Sequence, residues 1–321
     1  MKIDFLPKSK RYLSPPVDEV ALHESAIHAL SGPNLDIADA ISKADVDLAT
    51  CMLFNHIRQS KHGAFIREIE GLPAEAKQAK EKIRILVVPG MFHAEYPDVG
   101  ADGGLASAIF ARNGFDVQFV DVNSRGTVKE NQEIVRRALM GVGSEKVWLV
   151  SISKGTADVR ACLQNMAESD LPKNLKGWIN FSGIYAGSIL ADHRSDTRMK
   201  RLALRGICAL AGVDYRLVGE LSTTHESWRR RDTYTEKLEL IHVLGFPLAS
   251  HVQPLLSHRF ARLSKAGPTD GMIRLIDSLE YPGHVYPVWG CDHFGRHPQL
   301  SALLYRLSHY ISRPPTQDIQ S

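Results

Sequence analysis

Cysteine is scarce in this chain, with only four in 321 residues, at positions 51, 162, 208 and 291. No two stand as C-x-x-C, so neither a zinc site nor a disulfide framework is indicated. An excess of one charge is missing too. Lysine and arginine number 39 against 36 aspartates and glutamates, a formal net charge of +3. That is too small to argue for a nucleic-acid partner. No apolar run reaches the roughly 20 residues of a membrane span. The opening MKIDFLPKSKRYLSPP has no continuous apolar core of the signal-peptide kind. These absences lead to the expectation of a reduced, cytoplasmic protein with no membrane span. Internal repeats and low-complexity tracts are absent as well.

What remains is an ordinary globular composition, 44% hydrophobic and 23% charged, long enough for one large domain or a core with an insertion. Apolar residues at helical spacing in DEVALHESAIHAL and DVDLATCMLFNHIRQ, separated by the break SGPNLD, predict a helical N-terminal extension over residues 1–80. GLPAEAKQAKEK is a polar connector. From Lys82 the rhythm changes. KIRILVVPG, FDVQFVDVN, KVWLVSIS and KGWINFSGIYAG read as strands, and the stretches between them carry helical stripes such as Val159, Cys162, Leu163 and Met166. Apolar strands alternating with helices imply an α/β fold, a mostly parallel sheet with helices on both faces.

Residues 188–256 break the alternation with the basic, helix-patterned stretches HRSDTRMKRLALRG and ESWRRRDTYTEKLELIHVLG. They read as a helical cap insertion, with Leu202, Leu204, Ile207 and Leu217 mostly forming its core. The basic runs suit an anionic group or surface, but a solvated helix face is the simpler reading. The sheet core is thus expected over 81–187 and 257–321. Its second part would hold a weak strand in SHRFARLSKA, a helix bearing Met272, Leu275, Ile276 and Leu279, the strand HVYPVWG and a final helix QLSALLYRLSHYI.

The chemistry turns on VWLVSISKGTADV. SISK fits S-x-x-K with Ser151 as nucleophile, but that motif needs its serine at a helix start, and KVWLV is a strand with Gly155 interrupting any helix begun at Ser151. S-D-N and K-T-G are absent, SDT at 195–197 being the nearest string. SISKG also nearly fits the nucleophile elbow G-x-S-x-G, with Ser153 as nucleophile and Ser151 in the first glycine's place. Strand and helix must approach closely across an elbow, and Ser151 and Gly155 are both small enough. The plain alternative is a silent turn serine.

With its strand–turn–helix context, SISKG resembles the elbow of the α/β-hydrolase superfamily, the resemblance covering residues 82–187 and 257–310. The resemblance implies a triad in chain order Ser, Asp or Glu, His. Asp270 in KAGPTDGM then takes the acid's place and His293 in VYPVWGCDHFG the base's. It further implies an oxyanion hole made by the backbone N–H of Lys154 and one from VVPGMFH, Met91 first and Phe92 second. Each residue has a blander reading. Asp270 could be a turn or cap residue, His297 is the nearest rival base, and Asp292 adjoins His293 but should point away. Asp277 should be solvated within a helix, and the Lys154 side chain exposed or salt-bridged.

The function implied is hydrolysis of a carboxylic ester, with a thioester second, through a Ser153 acyl-enzyme. The substrate would be a small acyl compound, with no metal and no organic cofactor. Two other classes stand beside it. One is a non-catalytic receptor or scaffold on the same fold. The other is a nucleotide-binding Rossmann domain, though G-x-G-x-x-G is missing from the turn after VVPG. Asp121, Asn123 and Arg125 would then secure the loop after the second core strand.

Overall fold

Short apolar runs become the strands of one sheet. The computed structural model describes residues 17–31, 36–96, 99–192 and 198–313. The opening MKIDFLPKSKRYLSPP, most of SGPNLD and the SDT string lie outside the described residues. The strands are β1 (Ile83–Val88), β2 (Asp116–Phe119), β3 (Lys146–Ile152), β4 (Leu175–Phe181), β5 (Glu239–Phe246) and β6 (His284–Trp289). They lie in the order β2-β1-β3-β4-β5-β6, every neighbouring pair parallel. All but the edge strand β2 are nearly completely buried, as a sheet covered on both faces requires. The chain runs outward from β1 to β2, then crosses back to β3 on the other side. Ligands gather at the strand C-termini beside such a reversal. This strand order differs from the 3-2-1-4-5-6 of the dinucleotide-binding fold.

The helices are α1 (Glu19–Ala29), α2 (Ile37–Lys43), α3 (Val46–Gln59), α4 (Gly63–Glu70), α5 (Gly104–Arg112), α6 (Val128–Met140), α7 (Lys154–Gln164), α8 (Ile189–Asp192), α9 (Arg198–Leu210), α10 (Arg216–Leu221), α11 (Pro254–Leu263) and α12 (Pro298–Ile311). Asp18, Asp36 and Asp45 cap α1, α2 and α3 by accepting two backbone N–H groups each. Each such cap is worth about 1 kcal/mol. The N-terminal helices join the main core. The Phe54 ring lies 4.9 Å from Trp289, and Phe65 stacks on His284 at 4.2 Å.

Three sequence expectations need correction. ELIHVLGF, expected within the helical cap, is the sheet strand β5. Its midpoint His242 would be costly in a buried strand, but Asn180 meets its Nδ1 at 2.8 Å and the Pro282 carbonyl its Nε2 at 2.9 Å. SHRFARLSKA, expected as a strand, belongs mostly to α11. Pro254 starts that helix, and Leu256, Phe260 and Leu263 form its buried stripe. The helix expected around Met272 is a turn followed by a 3-10 segment, Leu275–Glu280. The Asp270 carboxylate draws the N–H groups of Met272 and Ile273 at 2.8 Å each, which diverts the chain.

Between β4 and β5 the chain carries α8, α9 and α10. This part is tied to α7 by a buried ion pair, Arg160 Nη2 to Asp232 Oδ2 at 3.0 Å. Tyr185 donates to the same carboxylate at 2.6 Å, Gln164 at 2.7 Å, and the guanidinium lies 4.4 Å over the Tyr185 ring. The WRRRD run is likewise engaged, Arg230 with Glu226 and Arg231 with Glu236 at the surface. Removing one partner of a buried pair leaves an uncompensated charge. Asp232→Ala should cost about 3–5 kcal/mol in urea unfolding, and Glu226→Ala under about 1 kcal/mol.

Two buried histidines make stability depend on pH. Burial pushes His242 down to about 3 and His62 down to about 4. His62 Nδ1 accepts the Val285 N–H at 3.2 Å, so the fold needs that ring neutral. Below pH ~6.5 the unfolded chain takes protons that the fold refuses, so stability falls with pH. Unfolding at pH 7, 6 and 5 should show a loss approaching about 1.4 kcal/mol per pH unit for each histidine, and His242→Gln should make the slope shallower.

Candidate active site

β3 ends at Ile152, and Ser153 turns the chain into α7 with φ 48° and ψ −118°. A non-glycine residue avoids this region, so the surroundings must impose it. The Ser153 N–H donates to the Phe181 carbonyl at 3.0 Å, and its own carbonyl accepts from Thr156 at 3.1 Å and Ile184 at 3.0 Å. Gly155 lets α7 press onto the end of β1, since a Cβ there would stand 2.4 Å from the Pro89 carbonyl oxygen. Gly90 does the same for the turn after β1, where a Cβ would lie 3.2 Å from that of Ser153.

Three distant side chains then meet. His293 Nε2 lies 2.9 Å from Ser153 Oγ, and His293 Nδ1 lies 2.7 Å from Asp270 Oδ2. Asp270 is fully buried and His293 nearly so. The other Asp270 oxygen accepts the two backbone N–H groups of its own turn, and the His293 N–H donates to the Asp270 carbonyl at 2.9 Å. The loop of Asp270 and the loop of His293 therefore hold each other. This network assigns the proton to Nδ1, leaving Nε2 to accept from the serine hydroxyl. Asp270 follows β5 and α11 rather than a strand in SHRFARLSKA, so its place before the last strand stands with different neighbours.

No family model matches the chain, and no curated protein matches it. Solved structures do. A metagenomic carboxyl esterase superposes with a TM-score of 0.59 at 18% identity, over 92% of this chain and 99% of that one. The mature form of the Bacillus licheniformis lipase BlEst2 superposes with a TM-score of 0.52 at 19% identity, over 74% and 92%. The fold is that of the α/β-hydrolases.

In this α/β-hydrolase fold the rival residues are otherwise occupied. Asp292 accepts the Gln253 N–H at 2.9 Å and the Phe294 N–H at 3.1 Å, with no bond to the imidazole. His297 caps α12 through the Gln299 N–H. Asp277, expected to be solvated, is half-buried and paired with Arg274 at 2.6 Å, and burial raises its carboxyl above the usual range. Asn123 and Arg125 do fasten their loop: Asn123 bonds Asn131 and the Arg125 N–H, and Arg125 pairs with Glu95. Asp121 is exposed.

The two oxyanion candidates in VVPGMFH separate cleanly. The Phe92 N–H already donates to the Ser124 carbonyl at 3.0 Å. Among the described residues the Met91 N–H has no acceptor. Lys154 opens α7, so its N–H is one of the helix's unpaired first-turn donors. Its side chain is buried, with Nζ 2.8 Å from Asp158 Oδ1. Burial pushes the Asp158 carboxyl up to about 6, while the Lys154 ammonium and a bond from Asn131 at 3.0 Å pull it down. The lysine is thus committed to Asp158, and Ser151 lies inside a strand, which disposes of S-x-x-K.

The sequence reading missed what Ser151 does. Its hydroxyl is fully buried, 2.8 Å from the Trp178 indole N–H, which donates to it, and 2.8 Å from Thr156 Oγ1. It bolts β3 to β4 and to α7. A signal existed, because a serine buried where glycine usually stands needs a partner. The two serines should respond oppositely to substitution. Ser151→Ala should lose about 1–3 kcal/mol by orphaning the indole N–H. Ser153→Gly should gain about 1–2 kcal/mol by relieving the positive φ. Urea denaturation of the two variants measures both.

Proposed function

We propose that this chain is a serine hydrolase that cleaves a small carboxylic ester, with a thioester as the second choice. The carrying observation is the hydrogen-bonded series Ser153, His293, Asp270 at the ends of three different sheet connections. His293 Nε2 takes the hydroxyl proton as Ser153 Oγ bonds to the ester carbonyl carbon. The carbonyl oxygen becomes an oxyanion facing the N–H groups of Met91 and Lys154. Collapse breaks the bond to the alcohol, which leaves with the proton from His293. Water then attacks the acyl-enzyme, again giving its proton to His293, and the acid departs as Ser153 recovers its own. Asp270 holds the imidazole in one tautomer and stabilises its cation throughout. The steps draw on these side chains, the two backbone N–H groups and water.

Two further points support an ester. Both structural neighbours reported above are named for ester or lipid hydrolysis. The segment between β4 and β5 is read as a cap over the site, because Leu204, Cys208, Val213 and Leu217 share one apolar cluster with Met91, Phe92 and Trp228. A receptor or scaffold would gain nothing from the strained backbone at Ser153, which costs about 1–3 kcal/mol.

A fluorophosphonate probe tests the assignment. Labelling should occur in the wild type and in Ser151→Ala, and vanish in Ser153→Ala. On a p-nitrophenyl ester panel, Ser153→Ala and Asp270→Asn should each lower kcat by about 10⁴-fold or more. Labelling that survives Ser153→Ala and is lost in Ser151→Ala would overturn the reading, as would no labelling and no turnover in the wild type.

A further inference from the structure

Of the four apolar residues expected to form the core of the cap, only two do. Leu204 and Leu217 are buried, whereas Leu202 on α9 is 68% exposed and Ile207 43%. Met199 at 78% and Leu210 at 70% join them. At 100° per residue, Met199, Leu202, Gly206 and Leu210 fall on one face of α9, opposite Leu204 and Cys208. The helix is apolar on both sides, and one side faces outward. Single exposed leucines are common, but an aligned stripe over a helix about 20 Å long is not.

The charges along α9 are of one sign. RMKRLALRGICAL holds Arg198, Lys200, Arg201 and Arg205 and no carboxylate. Arg198, Arg201 and Arg205 are exposed. Among the described residues neither Arg198 nor Arg201 has a carboxylate partner, and Arg205 lies 5.0 Å over the Tyr215 ring. Elsewhere on the surface some arginines are paired, as in Arg230 with Glu226 and Arg313 with Glu68. At 100° per residue Arg198 and Arg205 fall beside Leu202 at one edge of the outward stripe, whereas Arg201 falls near Cys208, and an apolar stripe bordered by arginines is the pattern of a helix lying in a membrane interface.

We propose that the outer face of α9 docks on an anionic lipid surface. Met199, Leu202 and Leu210 enter the boundary between headgroups and acyl chains, and Arg198 and Arg205 beside them meet lipid phosphates. Charge favours this occupant over a second copy, because two α9 helices set face to face would bring Arg198 and Arg205 of one against those of the other, with no carboxylate in either helix. The inner face of α9 shares the apolar cluster that includes Met91. Docking would therefore turn that end of the molecule toward the bilayer. Vesicle binding is scored without substrate and is independent of any catalytic role of Ser153.

Co-sedimentation of the full chain with phosphatidylglycerol/phosphatidylcholine vesicles should show binding that weakens in 0.5 M salt and is much weaker on pure phosphatidylcholine. Leu202→Ser/Leu210→Ser should lower the partition coefficient at least tenfold. Arg198→Gln and Arg205→Gln should lower it about fivefold each. Val20→Ser, at an exposed apolar site on α1, should leave it unchanged. All these positions are exposed, so the variants should keep the wild-type melting curve. Failure to bind anionic vesicles, or equal binding by Leu202→Ser/Leu210→Ser, would overturn the proposal. So would a dimer that the same double variant abolishes, without vesicle binding.

Discussion

The backbone turn at Ser153 is the constraint on which the rest depends. A φ of 48° on a residue with a side chain costs energy, and it persists only because neighbours on every side enforce it. β4 receives its N–H, Gly155 lets α7 close against β1, and the Ser151 hydroxyl ties β3 to Trp178 and Thr156. The consequence is a hydroxyl held clear of the strand at the point where the sheet reverses. There the loops from β5 and β6 can reach it.

Helix α7, which carries that turn, is unusually charged inside. Lys154 and Asp158 form a buried pair near its start, and Arg160 reaches Asp232 from farther along. Buried pairs contribute little net stability when complete and are costly when broken. Their value here lies in geometry. Lys154 and Asp158 fasten the first turn of α7 to the start of α6, at Thr127 and Asn131. Arg160 fastens α7 to the segment between β4 and β5, so the residues that would shape a substrate pocket are tied to the helix that presents the serine.

Much of this was legible in the chain. The strands on either side of SISKG, the stripe on α7, and the order Ser153, Asp270, His293 followed from apolar runs, helical spacing and resemblance. Two of the errors, at His242 and Ser151, share a cause, namely polar residues satisfied by partners far away in sequence. His242 hid a buried strand because Asn180 and the Pro282 carbonyl, which neutralise its cost, are not local. Asp270 ended a helical pattern early by binding the backbone ahead of it. Ser151 passed for a spacer because its partner Trp178 lies on another strand. In α9, periodicity marked apolar positions but could not say which of two apolar sides faced the core.

Local sequence by itself determined where most strands and helices would alternate and where an elbow would be sterically possible, while the resemblance singled out one aspartate and one histidine as candidates to serve it. These depend on side-chain size, backbone freedom and spacing along a few turns of chain. Only the tertiary structure decided that the three groups stand within hydrogen-bond distance, that the Phe92 N–H is taken by Ser124 while that of Met91 has no acceptor among the described residues, and that Lys154 is spent on Asp158. Those outcomes depend on which polar groups the folded chain brings together out of water, and no local pattern carries that information.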